Sequence, residues 1–186
     1  MNSNLQVISG EFRGRKLKLP DGARPTQNLT RGAIFNSLTG ILAESLSEIH
    51  AWDAFAGSGA LGLEVLSRYH NSTVIFTDVA DASHRAITEN VHDIDLTRYK
   101  IDKSDAATRV REYAQRVNLV FVDPPYATPE LGIGFVDALA DSGFRGIVVQ
   151  EVESNVDYTP DNTKWTVLRD KTYGRARILI LRKAQN

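Results

Sequence analysis

The chain changes rhythm along its length. After residue 48, short apolar runs rich in β-branched and aromatic residues recur, and stretches with helical spacing of apolar positions lie between them. The runs predict strands over 50–55, 73–78, 99–103, 117–122 and 145–151, and the stretches predict helices over 59–69, 81–91, 105–116 and 129–141. Two closing strands, near 164–170 and 175–182, are separated by "KTYG". Ahead of all these, Thr26 is placed to cap a helix on which Leu29, Ala33, Phe35, Leu38, Ile41 and Leu42 form a loose apolar stripe. Regular alternation of strand and helix predicts an α/β fold: a doubly wound, mostly parallel sheet, with the closing pair added antiparallel. Seven strands are expected in all.

The opening segment "LQVISGEFRGRKLKLPDG" reads differently. Short strands turn at Gly10 and Gly14 and stop at Pro20-Asp21-Gly22, a small β-hairpin extension. Its apolar positions, Val7, Phe12, Leu17 and Leu19, are too few for a core of their own, so the segment lies on, or reaches out from, the main body. The expected division is a basic extension over 1–25 and one α/β domain over 26–186.

Open α/β sheets bind ligands beyond the carboxyl ends of their strands, where the winding reverses. Four acidic residues stand at such ends. "AWDAFAGSGALGLEVLSR" holds Gly57-x-Gly59-x-x-Gly62 between the first strand and its helix, a pattern that lets a ligand approach the backbone closely. Alone it is also compatible with a tight turn that binds nothing. Asp53, just before it, repels a pyrophosphate and attracts an ammonium. That favours S-adenosylmethionine, which carries an ammonium and a sulfonium, over a dinucleotide. Asp78 ends the second strand, where it is placed to accept from ribose hydroxyls. Asp105 follows the third, where it is placed to accept from an adenine amino group beside the Ala106 N–H. Helix capping is the plainer role for Asp105 and for Asp81.

The fourth strand runs into Asp123-Pro124-Pro125-Tyr126. An amino group on a conjugated ring is a weak nucleophile, because its lone pair is delocalised. Two acceptors for its N–H groups redirect that lone pair and stabilise the positive charge developing on nitrogen. The Asp123 carboxylate and the Pro124 carbonyl supply them. The prolines add no competing N–H, and Tyr126 offers a flat face for an extruded base.

Charge adds a partner. Residues 1–32 carry Arg13, Arg15, Lys16, Lys18, Arg24 and Arg31 against Glu11 and Asp21, leaving +4 on a body of −5. A basic arm on an acidic body suits a polyanion. The absence of cysteine excludes disulfides and thiolate metal sites, and His50, His70, His84 and His92 lack the spacing of metal ligands. The opening residues show no secretory signal pattern, and no run reaches the roughly 18 apolar residues of a membrane span. A cytoplasmic, monomeric protein with no metal is the expectation. Arg175 and Arg177 read as a solvated strand edge that resists aggregation.

Together, "ISGEFRGRKLKLPDG" with "RPT", "AIFNSL", "DAFAGSGALGLEVLSR", "FVDPPY" and the late "YG" make the chain resemble a Rossmann-like class I methyltransferase, and more narrowly the RsmD family, over nearly its whole length. The resemblance implies methyl transfer from S-adenosylmethionine to the N2 amine of a guanine in small-subunit (16S) ribosomal RNA, releasing S-adenosylhomocysteine. It implies that Asp53, Phe55, Gly57 and Gly59 surround the methionine part of the cofactor, that Asp78 and Val79 hold ribose and adenine, and that Asp105 and Ala106 read the adenine edge. Asp123, Pro124 and Tyr126 then hold the target, and Arg13, Arg15, Lys16, Lys18 and Arg24 grip RNA phosphates. Arg31 is the basic group left for RNA on the first helix. Other amine methyltransferases, of DNA adenine-N6, cytosine-N4 or protein glutamine, fit Asp-Pro-Pro-Tyr equally. A non-catalytic NAD or nucleotide module and an assembly factor without transfer activity are the remaining readings.

Overall fold

The computed structural model describes residues 5–20, 28–45 and 48–184. Its sheet contains seven strands: β1 (Ile49–Asp53), β2 (Ser72–Thr77), β3 (Tyr99–Asp102), β4 (Leu119–Val122), β5 (Ile147–Glu153), β6 (Trp165–Tyr173) and β7 (Ala176–Lys183). The order across the sheet is β3-β2-β1-β4-β5-β7-β6. The first five pair in parallel; β7 pairs antiparallel with β5 and with β6. This is the doubly wound arrangement expected from the alternation. The winding reverses between β1 and β4, which are neighbours in space but not in sequence.

Among the described residues five α-helices flank the sheet: α1 (Asn28–Ser45), α2 (Ala60–Arg68), α3 (Asp81–Asn90), α4 (Ala106–Tyr113) and α5 (Pro129–Ala140). Successive strand residues face opposite sides, and β4 divides its side chains accordingly. Leu119 and Phe121 join a core with α1, α2 and α3 residues such as Phe35, Leu38, Leu63 and Ile87. Val120 and Val122 join a second core with α4 and α5 residues such as Tyr113, Phe135 and Leu139. Trp52 packs edge-on against Tyr113 and Phe135 on that second side and donates from its indole to Thr77 Oγ1. Trp165 is fully buried, with its ring 6.3 Å from that of Phe144.

The N-terminal segment is a minimal hairpin with one bridge, Gln6 to Lys16. It does not project. Leu5, Val7 and Leu17 are buried in the first core, and the hairpin lies along the outer side of α2. The Ser9 carbonyl accepts from Ser67 Oγ, and the Phe12 N–H donates back to that oxygen at 2.9 Å. Gly10 sits with φ +87° against the Ser67 backbone, so close that any Cβ would run into it. Covered on one side by the sheet and on the other by the hairpin, α2 is buried from Ala60 to Ser67.

Candidate active site

Two loops leave adjacent strands at the sheet's carboxyl edge. β1 and β4 stay in register to the pair Asp53–Phe121, and the Ala54 N–H donates to the Phe121 carbonyl at 3.1 Å. The glycine loop begins just after one member of this pair and Asp123-Pro124-Pro125-Tyr126 just after the other. Strand spacing of about 5 Å therefore sets their separation at the point of departure.

Gly57 (φ +54°) and Gly59 (φ +76°) are both left-handed, and Gly59 caps α2. Such backbone angles strongly favour glycine. At Gly57 nothing lies within 4 Å of where a Cβ would stand, so the loop's outer side is open. The loop is stitched to β2: the Ala56 N–H reaches the Thr77 carbonyl at 3.0 Å. Asp78 accepts from the Gly57 N–H on Oδ2 and from the Ala80 N–H on Oδ1, each at 2.9 Å. Each oxygen keeps a further lone-pair direction for a hydroxyl.

Asp53 is 2% exposed and accepts from the Gly62 N–H at 2.9 Å, at the first turn of α2. Among the described residues it forms no ion pair with a lysine or arginine. Burial pushes its carboxyl up to about 7; the Gly62 bond works against this, and the nearby Asp78 charge adds to it. The site therefore holds a buried acid whose ionised form lacks a cation.

Phe55 stands edge-on to Phe135 of α5, with centroids 5.6 Å apart. Val79 is exposed and Ala106 is buried. Asp105 caps α4, its Oδ1 accepting from the Ala107 N–H at 2.9 Å; the capping role weighed for it is realised. Asp81 instead lies within the first turn of α3, paired to Lys103.

Pro124 is buried against Gly132 of α5. Tyr126, half-buried, donates from its hydroxyl to Glu151 Oε1 of β5 at 2.5 Å. Burial first, and then Glu151, pushes its phenol above its ordinary value, with smaller contributions from Asp123 and Glu153. Glu151 and Glu153 escaped sequence reasoning. The signal was present in "QEVE", acidic residues alternating at the carboxyl end of a buried strand.

The basic residues divide. Arg13, Lys16 and Lys18 are exposed. Arg15 makes a two-pronged bond to Asp93, at 2.6 and 2.8 Å, and also donates to the Asn90 carbonyl. With Lys16, Lys18 and His92 it borders a cleft of about 420 Å³ beside α3. Arg24, like the expected cap Thr26, lies outside the described residues. Arg31 corrects the expectation of an RNA contact on the first helix: it is fully buried and paired with Glu64 of α2 at 3.6 Å. The expected solvated strand edge is corrected: β7 lies between β5 and β6, Arg175 stands in the turn before it and pairs with Glu153, and Arg177 pairs with Asp170. Among the described residues no helix is long and apolar enough to cross a membrane, and no cluster of three metal-ligating side chains occurs.

Comparison with known proteins adds a consistent set of relatives. The family model described as "Conserved hypothetical protein 95" matches residues 5–182. "Ribosomal RNA small subunit methyltransferase D" of Escherichia coli strain K12 is 32% identical over 192 residues, covering 99% of this chain and 93% of the relative. The protein of the same name from Haemophilus influenzae is 27% identical over 180 residues, covering 91% and 89%. The solved structure of the provisionally assigned methyltransferase yhhF of Escherichia coli superposes with a TM-score of 0.77 at 33% identity, covering 97% of this chain and 98% of that one.

Proposed function

Because the chain belongs to the family of ribosomal RNA small subunit methyltransferase D, we propose that it methylates small-subunit ribosomal RNA, and specifically the N2 amine of a guanine held at Asp123-Pro124-Pro125-Tyr126. The observation that carries this reading is the departure of that turn and of the glycine loop from paired strands, with the cation-less Asp53 beneath the latter.

The residues fit S-adenosylmethionine. Asp53 is a buried carboxylate that a positively charged ligand relieves, the backbone at Gly57 is open to close approach, and Asp78 retains acceptor capacity for ribose. When bound, S-adenosylmethionine supplies a methyl group on a cationic sulfur that a neutral amine displaces directly, leaving S-adenosylhomocysteine. In this reading Asp123 and the Pro124 carbonyl accept from the two N–H groups of the target. That costs the amine its ring conjugation and stabilises the charge that grows on nitrogen, and the methylated nitrogen then gives up one of its N–H protons to solvent, which leaves a neutral secondary amine. The ring of Tyr126 stacks on the base, and Phe55 walls the space between the two loops. Holding the reactants in line supplies much of the rate. Exposed Arg13, Lys16 and Lys18, with Arg24, position the phosphates without reading sequence.

The test is transfer of labelled methyl groups to naked small-subunit ribosomal RNA, to assembled small subunits and to duplex DNA. It is paired with mass spectrometry of ribosomal RNA from cells lacking the protein. Label in RNA and a missing N2-methylguanosine are expected. Label in DNA alone would return the chain to the DNA-amine class.

A further inference from the structure

Tyr126 is anchored at the tip of its ring, and the anchor comes from a different strand. β4 and β5 pair as far as Val122–Gln150, so Glu151 is the next residue along β5 as the chain turns at Asp123. Its Oε1 receives the Tyr126 hydroxyl at 2.5 Å. Glu151 is also in register with Ile178 of β7, and the strand that carries it is therefore held on both sides. Two residues on, Glu153 pairs with Arg175, whose guanidinium lies 5.8 Å from the centre of the Tyr126 ring.

A carboxylate is an expensive choice here. Burial pushes the Glu151 acid above its ordinary value, and an apolar side chain at the end of a core strand avoids that cost. What the carboxylate adds is direction. A tyrosine turns about two side-chain bonds, and a hydrogen bond at the far end of the ring fixes both. Ordering the ring beforehand removes an entropy loss that otherwise falls on the step in which the substrate is aligned.

We propose that Glu151 is a positioning residue for methyl transfer, fixing the Tyr126 ring so that one face meets the planar target base. This rests on the functional reading above, in which Tyr126 stacks on the target. Glu151 acts through Tyr126 and touches neither the cofactor nor the amine.

The experiment compares wild type, Glu151→Gln, Glu151→Leu, Tyr126→Phe and the Tyr126→Phe/Glu151→Leu pair. Each is assayed for labelled methyl transfer to small subunits from cells lacking the protein, with S-adenosylmethionine affinity measured separately. The expected result is a kcat for Glu151→Leu lowered about tenfold to a hundredfold, the loss of one charge-assisted hydrogen bond, at unchanged cofactor affinity. Glu151→Gln, which still offers an acceptor, recovers most of the rate. Tyr126→Phe matches Glu151→Leu, and the pair is no worse than either single change. If Glu151→Leu does not fold, Tyr126→Phe carries the test, and an unchanged kcat in it overturns the proposal. An active wild type with a fully active Glu151→Leu, or with losses that multiply in the pair, overturns the positioning role alone. A wild type that labels no RNA overturns the functional reading, and this inference with it.

Discussion

Two carboxylates buried beside the same helix have opposite surroundings. Glu64, within α2, is fully buried and fully matched. Arg68 lies 2.7 Å from it and Arg31 3.6 Å, and the N–H groups of Ile8 and Ser9 donate to its two oxygens at 2.9 and 3.0 Å. Asp53, at the other end of α2, receives the Gly62 N–H, and among the described residues no cation pairs with it. The first arrangement is complete, and it joins α1, α2 and the N-terminal hairpin. The second leaves a charge unbalanced where the backbone is also open. Burying a charge without its partner is costly, so the unbalanced site is where a cationic ligand gains most. The same physics thus separates stitching from function.

The largest effect should come from breaking the matched side. Glu64→Gln removes the carboxylate charge facing buried Arg31 and Arg68, and the expected loss is about 3–5 kcal/mol of folding stability. Urea unfolding checks it; a cost near zero would remove the contrast with Asp53.

On the unmatched side, Asp123→Ala should remove an acceptor used chiefly as charge develops. About 3 kcal/mol of transition-state stabilisation is at stake, with cofactor affinity nearly unchanged. Single-turnover transfer and calorimetry separate the two, and near-normal turnover contradicts the assigned role.

Asp53→Asn sharpens the comparison, because its sign is reversed. The folded-state acid titrates at about 7 against an ordinary 3.8. The folded protein therefore keeps a proton that the unfolded chain releases between these values. The acid's contribution to stability falls as pH rises through that window and stays low above it. The Asn variant should be more stable than wild type at about pH 8, and should bind S-adenosylmethionine less well. In wild type a bound cation favours the ionised acid. Affinity should therefore rise from about pH 6 to about pH 8, with proton release on binding below about pH 7. Calorimetry in buffers of different ionisation heat measures that release; a pH-independent affinity would deny Asp53 its ligand.

The smallest effect concerns the arm. Neutralising Arg13, Lys16 and Lys18 should weaken RNA binding and flatten its salt dependence, by about 0.7 to 0.9 in logarithmic slope for each phosphate no longer neutralised. Arg15→Ala should behave differently, lowering stability through its bonds to Asp93 and Asn90. Equal salt slopes for the triple variant and wild type would return the arm to a solvated surface.

Strand and helix order was legible because β-branched runs and helical stripes are local properties. The paired closing strands were legible too, although β6 runs three residues beyond its expected end, to Tyr173, because its ladder with β7 continues to the turn at Gly174. Asp53 was legible as an acid preceding a glycine loop. What stayed hidden depends on contacts distant in sequence. Arg31 looked like one more basic group until Glu64 was brought opposite it, and Arg15 looked free until Asp93 came within reach. Glu151 was invisible for the same reason: its partner is a ring on another strand's loop.

Gly10 settles one more matter. With no room for a side chain above the Ser67 backbone, the hairpin is bolted to the helix whose far end bears the glycine loop. An attachment of that kind has no slack. If the exposed Arg13, Lys16 and Lys18 hold the proposed polyanion, this close seat against Ser67 keeps it at one offset from the glycine loop, so the extension would act as a ruler rather than a tether.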